Sequence, residues 1–510
     1  MTEPLTVQLL LRRALRRYAS RPCLIWEGGF ATFAETEARI QSLAAVMQRR
    51  TRPEGHIGIL LNNSREFLEL ILACALAGRV RVPLNTRETA EAIANKLELS
   101  ACGLLFTDTA WQERLAAEAV DHVPPTIVVD GSQRDDVAYD QLVRARAGTL
   151  DRVDASSRYR LSFTGGTTGT PKAVVQTHRQ ELALARNLLL EAFSPSATQP
   201  FVASTPLSHA SGAFVLPTIL GGGSLSWTDG FQPERLIDSS WLGERLTTQT
   251  FLVPTALDDL ARAVPGKSHD IAHILYGGAP CPASVLERAV DAVGPRLVQL
   301  YGQAEAPMTI SILTRTDHVS PRDIAGCAGN AFLFVDVAIE KDGIRLEAPE
   351  MVGEVVVRSD HVMEHYWEDE QASAARFTDD GGLRTNDLGY LDERGRLWIV
   401  GRNGDMLISG GYNVFPSEVE RRLGVIDGVR ELAAFGVPHP RWGEATVVAV
   451  VREPHCDVAE EAVESAARER LAAYERPKMV LFLESLPHTA VGKVSRSDLA
   501  DRYRDLFATP

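Results

Sequence analysis

The chain has 510 residues, 45% of them apolar and 24% charged, an ordinary globular composition too long for one core, so at least two domains are expected. Its net charge of −14 argues against nucleic acid or an anionic membrane as the main partner, and a polyanionic ligand has to be met by local cations. Six scattered cysteines without a C-x-x-C pair or metal-type spacing read as a reduced, disulfide-free cytoplasmic protein. Near the start, Leu9-Leu10-Leu11 is followed at once by Arg12, Arg13, Arg16 and Arg17. That pattern predicts an amphipathic first helix, with no signal peptide and no membrane-spanning run there or elsewhere. Further on, 33–49 reads as a helix, 55–61 as a buried strand, 65–77 as a helix, 80–84 as a strand and 88–99 as a helix. Strands follow at 102–107 and 126–130. Strands separated by helices predict parallel sheets with helices on their faces.

The extended run 159–163 feeds the loop Thr164-Gly165-Gly166-Thr167-Thr168-Gly169-Thr170-Pro171-Lys172, and a second extended run follows. Glycines let backbone approach an anion, while successive N–H groups, Thr hydroxyls and one Lys can surround phosphate oxygens. Pro171 before Lys172 rules out a Walker A loop. A phosphate cradle and a mobile surface loop are the two readings. Short apolar strands recur at 246–253, 271–276 and 296–301. From 331 to 357 closely spaced β segments, clearest at 335–339 and 353–357, predict a small β-rich subdomain. A seam falls at Gly401-Arg402-Asn403-Gly404-Asp405. Beyond it, helices at 416–423 and 458–473 and strands at 429–437, 446–451 and 479–483 suggest a compact α+β unit. The expected division is 1–402 and 403–510.

Four segments offer chemistry. Pro206-Leu207-Ser208-His209-Ala210-Ser211-Gly212 puts a His at a strand end, where it lines a pocket or caps the next helix. Tyr276-Gly277-Gly278-Ala279-Pro280 suits a flat ring against bare backbone, or a tight turn. Tyr301-Gly302-Gln303-Ala304-Glu305 combines a stacking ring with a carboxylate able to bind Mg²⁺. Asp387 and Arg402 suit a ribose diol and its phosphate side, or form a surface ion pair.

Taken together, these segments resemble, in order and spacing from 161 to 496, the adenylate-forming superfamily of acyl- and aryl-CoA ligases, luciferases and peptide-synthetase adenylation domains. The resemblance implies an α/β fold: a large N-terminal domain of helix-flanked sheets with a β-rich subdomain, and a small mobile C-terminal α+β domain. It implies that Thr164 to Gly169 and Lys172 hold phosphate, that residues 277–280 and 301–304 enclose adenine, and that Glu305 ligates Mg²⁺. It places Asp387 and Arg402 on the ribose and His209 beside the carboxylate substrate. It also implies that Lys493, in Thr489-Ala490-Val491-Gly492-Lys493, reaches the reacting carboxylate and α-phosphate, that Gly410 and Gly411 line the pantetheine passage, and that Gly404 is the hinge.

The chain departs from the family pattern at Gly165 for Ser, Ala304 for Thr and Gly404 for Asp or Lys. Each lost hydroxyl removes a bond of about 1–2 kcal/mol, so a slower enzyme is expected, not an inactive one. Trp442, Tyr474, Arg476 and Lys478 are similar to the residues with which benzoate-type and fatty-acid-type CoA ligases grip the nucleotide end of CoA; an exposed Trp packed between domains is the plainer reading. The resemblance therefore implies a ligase that joins an acid to CoA with ATP and Mg²⁺. Small, neutral pocket residues (His209, Ala210, Ser211, Gly302, Pro307), without an Arg for a second carboxylate, favour an aromatic or medium-chain monocarboxylic acid. Loading of a carrier protein by an acyl-AMP ligase and a non-catalytic nucleotide-binding relative are the alternatives. A homodimer is compatible with the sequence, which does not decide oligomeric state.

Overall fold

The computed structural model describes residues 5–118, 122–130, 139–144, 148–164, 171–243, 246–489 and 494–507. The predicted alternation of strand and helix yields two sheets in the larger part. One has seven strands, in the order His365–Tyr366, Ala173–Thr177, Arg158–Phe163, Val80–Pro83, His56–Leu60, Cys102–Thr107 and Thr126–Val128. The other path runs through fourteen strands. Six consecutive members are parallel: Leu297–Gln303, Ile271–Gly277, Thr248–Leu252, Phe201–Ala203, Leu225–Trp227 and Pro22–Trp26.

Helix Arg65–Ala77 buries every residue from Phe67 to Ala77, as a helix apolar on all sides must. Ser64 accepts from the Phe67 N–H at its start, and Gly78, at φ +63, ends it. Its one fully buried charge, Glu69, is met by Arg39 at 2.6 Å, Arg65 at 2.7 Å and the Tyr139 hydroxyl at 3.0 Å, which a buried carboxylate requires.

The β-rich segment continues the large sheet. Strand Cys327–Ala331 pairs antiparallel with Ala306–Leu313 on one side and Leu397–Arg402 on the other. From there the path passes through Leu383–Leu391, Gly353–Arg358, Asp336–Lys341 and Ile344–Arg345. Sequence spacing predicts the strands at 335–339 and 353–357 and is silent on Leu383–Leu391 and on the ladder that fuses the segment to the rest.

A third sheet holds Tyr412–Val414, Leu407–Ser409, Gly443–Arg452 and Val429–His439, with Met479–Leu483 parallel to Gly443–Arg452. Strand Gly443–Arg452 alternates: Val448 and Val450 pack with Val419, Leu423 and Val463, whereas Val447 and Ala449 pack with Phe435, Leu486 and Leu499. Two apolar faces thus give this unit its own core on each side. Its strands run longer than the predicted 429–437 and 446–451 because they pair as one hairpin from Val429↔Arg452 to His439↔Gly443. The unit touches the larger part through Ser417, whose hydroxyl donates to the Val400 carbonyl at 2.8 Å, and through a two-pronged Arg262–Glu453 ion pair at 2.6 and 3.2 Å. No described helix is long and apolar enough to cross a membrane, and all six cysteines are free thiols.

Candidate active site

Because the central strands are parallel, their carboxyl ends share one edge, where α/β sheets gather ligands. Phe201–Ala203 leads there to Ser204 through His209, Ile271–Gly277 to Gly278, Ala279 and Pro280, and Leu297–Gln303 to Ala304 and Glu305. Two glycines are sterically required. A Cβ on Gly277 would sit 2.2 Å from the Leu300 carbonyl oxygen, and one on Gly302 would sit 2.3 Å from the Met308 nitrogen. Gly302 lies where the pairing of Leu297–Gln303 with Ala306–Leu313 shifts register, directly after the Tyr301↔Ser311 pair.

Tyr301 donates its hydroxyl to Asp387 Oδ2 at 2.5 Å, and Arg402 Nε donates to Asp387 Oδ1 at 2.8 Å. Asp387 and Arg402 face each other across the antiparallel pair Leu383–Leu391 and Leu397–Arg402, so cross-strand register builds this contact. Asn386 takes φ +60 beside it, a conformation that Asn tolerates better than most residues. Burial, then the Asp387 charge, pushes the Tyr301 phenol well above its usual range; that same charge holds Arg402 above its own.

Gln303 donates to the Thr385 carbonyl at 3.3 Å and accepts from Arg376 Nη2 at 3.0 Å, joining the strand of Asp387 to a second cluster. There Glu305, largely buried, accepts on Oε1 from the Tyr366 hydroxyl at 2.6 Å, with Arg376 Nη2 at 3.2 Å. The Met363 N–H bonds the Glu305 carbonyl at 2.7 Å and fixes the main chain. Every described hydrogen bond to this carboxylate falls on Oε1. That donor set fits Mg²⁺, which binds through one or two carboxylates plus substrate phosphates, with the carboxylate itself anchored by other groups. No group of three or more metal-binding side chains occurs among the described residues.

The glycine loop is closed at its base: the Thr164 N–H bonds the Lys172 carbonyl at 3.0 Å above the Phe163↔Ala173 pair. The Lys172 ammonium stands 5.2 Å from the Tyr366 ring centroid, which brings the loop's cation to the Glu305 cluster. Gly165, Gly166, Thr167, Thr168, Gly169 and Lys493 lie outside the described residues. His209 is exposed, with Nδ1 3.1 Å from the Ser208 hydroxyl, and precedes the turn Ala210–Phe214. Ser211 and Pro307 are buried, and the Ser211 hydroxyl lies 2.6 Å from that of Thr205.

In the third sheet Gly410 and Gly411 adopt φ +60 and +83, and the Gly410 N–H bonds the Trp442 carbonyl at 2.9 Å. Lys478 stands 4.8 Å from the Trp442 ring centroid, and Tyr474 stacks on Tyr412 at 4.6 Å. Arg476 is turned away: its Nε and Nη2 donate to the Leu471 and Arg468 carbonyls. Gly410, Gly411 and Tyr412 are exposed in this pose. Gly404 is exposed as well, with open space where a Cβ would stand. Arg376, Tyr366 and Tyr412 escaped the sequence reading, since an Arg in a short exposed helix and single aromatics carry no local signature.

The chain matches a known family over most of its length. A model of the AMP-binding enzymes covers residues 11–367, and one of their C-terminal domain covers 418–493. The chain belongs to the AMP-binding, adenylate-forming enzymes. Its relatives in this family include a feruloyl-CoA synthase from Amycolatopsis sp, 32% identical over 97% of this chain and 98% of that protein. Among solved AMP-binding enzymes, an amide bond synthetase, McbA, from Marinactinospora thermotolerans superposes with TM-score 0.88 at 27% identity, over 98% of this chain and 100% of that one. An O-succinylbenzoate coenzyme A synthetase from Bacillus subtilis, in complex with AMP, gives 0.81 at 28% identity, over 96% and 97%.

Proposed function

We propose that this protein is an ATP-dependent carboxylic acid–CoA ligase that works through an acyl-adenylate, on an aromatic or medium-chain monocarboxylic acid. The observation that carries the reading is the chain of contacts from Arg402 and Tyr301 to Asp387, from the Asp387 N–H to the Thr385 hydroxyl, from the Thr385 carbonyl to Gln303 and through Arg376 to Glu305. It provides a ribose-type acceptor at one end and a phosphate-type charge cluster at the other, beside the carboxyl edge where open α/β sheets bind ligands. Asp387 takes the ribose hydroxyls, Tyr301 and the Gly277–Gly278 backbone flank the base, and Lys172 with the Thr164 loop meets the phosphates. The acid lies beside His209; its carboxylate attacks the α-phosphorus in line and the bond to the β-phosphate breaks, so that pyrophosphate leaves while Lys493 offsets the developing charge. Glu305, together with the nucleotide, would hold Mg²⁺, which would supply charge neutralisation at the phosphates.

The unit 403–510 then turns about Gly404, withdraws Lys493 and presents Gly410 and Gly411. CoA's sulfur attacks the acyl carbonyl and AMP leaves. Trp442, Tyr474 and Lys478 form the surface for the adenine end of CoA, and Arg476 joins them only after leaving its two carbonyls. A cytoplasmic location fits the six free thiols.

Mass spectrometry of the purified protein with ATP, Mg²⁺, CoA and a pool of aryl and aliphatic acids tests this. A thioester names the acid. Accumulating acyl-adenylate without a CoA adduct would instead favour transfer to a carrier protein or an amine, and ATP–pyrophosphate exchange indifferent to added acid would overturn an enzymatic reading.

A further inference from the structure

Arg376 ends the short helix Glu370–Arg376, outside every motif read from the sequence. Its guanidinium nevertheless reaches the Glu305 cluster from behind. Nη2 lies 3.2 Å from Glu305 Oε1 and 3.0 Å from Gln303 Oε1, while Nε lies 3.0 Å from the Tyr366 oxygen, itself bonded to Glu305 at 2.6 Å. The Arg376 and Glu305 side chains are 12% and 8% exposed. Nη1 is buried with no hydrogen-bond partner, so the guanidinium is held here by the carboxylate side of its fork. Lys172 adds a second positive charge across the Tyr366 ring.

A carboxylate already in contact with one cation, with another close by, attracts a bare divalent ion weakly, because like charges in a partly buried site repel. A bound polyphosphate reverses that balance with several negative charges. We propose that Arg376 is a positioning residue that makes divalent-cation binding at Glu305 conditional on the nucleotide: it acts as the resident counter-cation and orients Oε1, so that a metal is retained only when polyphosphate arrives with it. This inference rests on Glu305 being the metal-binding carboxylate of the proposed reaction.

Mn²⁺ is the probe, its free concentration followed by electron paramagnetic resonance in titrations of the full chain, with and without α,β-methylene-ATP. Without nucleotide, Arg376→Gln should bind Mn²⁺ at least tenfold more tightly than the unaltered protein. Arg376→Lys should stay weak, and Glu305→Gln combined with Arg376→Gln should lose the gain. A merely structural lesion does not create a tighter site. Arg376→Met, which keeps the stem, replaces the Gln variant if that one does not fold. Nucleotide-free affinity unchanged in both neutral variants overturns the proposal. Should analogue-dependent Mn²⁺ binding survive Glu305→Gln in the otherwise unaltered chain, the metal assignment itself fails, whatever Arg376 does.

Discussion

Asp387 serves two donors at once, and both come from outside its own strand: Tyr301 from the parallel sheet and Arg402 from the neighbouring strand. Asp387→Asn keeps the shape and removes the charge that both donors need. Hydrogen bonds to charged groups contribute about 1.5–3 kcal/mol, so KM for ATP in pyrophosphate exchange should rise about tenfold or more, and the melting temperature should fall as well because the folded chain loses both charged bonds. Gly302 is constrained differently. A methyl at 2.3 Å from the Met308 nitrogen forces backbone apart, so Gly302→Ala should cost about 1–3 kcal/mol in chemical denaturation and disturb Tyr301 with it. A variant as stable and active as the parent would contradict the close packing of this bulge.

The elements decide which groups can move. The link at 403–406 is held by an Asn403 N–H bond to the Asn386 carbonyl at 2.9 Å and an Asp405 N–H bond to the Arg402 carbonyl at 3.1 Å. Gly404 stands between them without a neighbour and can visit both backbone conformations that a rotation needs. Gly404→Pro should therefore retain pyrophosphate release and lose thioester formation; equal loss in both half-reactions would remove Gly404 as the hinge. Lys493→Ala should show the complementary pattern, with adenylation reduced and thiolation of a supplied acyl-adenylate spared. Stopped-time assays of each half-reaction separate the two outcomes.

At the scale of the whole molecule, buried histidines set an acid limit. Burial lowers His178 from 6.5 to about 4, and His273 and His361 to about 3. Below pH 6.5 the unfolded chain takes up these protons and the folded chain does not until near pH 4 or lower, so stability is full above 6.5 and falls as pH drops towards 4. Denaturation midpoints measured from pH 7.5 to 4.5 should follow that slope. His178→Phe should flatten it, since the ring lies edge-on to Tyr159 and its Nδ1 has no partner.

The sequence by itself determined the elements and the order of the motifs, because periodicity, Gly spacing and capping residues act over a few neighbours. Helices 65–77 and 416–423 and strands 102–107 and 479–483 stand where their residues predict. The Gly277 pair, Tyr301, Glu305, Asp387 and Arg402 were legible as a set through their order and spacing, which resemble the family's; on residue type alone Asp387 and Arg402 read equally as a surface ion pair. Only the tertiary structure decided what meets what. Asp387 and Tyr301 are 86 residues apart, and Gln303 and Arg376 73 apart; such contacts depend on sheet register, which no local pattern encodes. The same reason hid Arg376 and fused the β-rich strands to the large sheet. Tertiary structure also bonds Arg476 to carbonyls of its own unit, where the resemblance to CoA ligases had implied the nucleotide end of CoA.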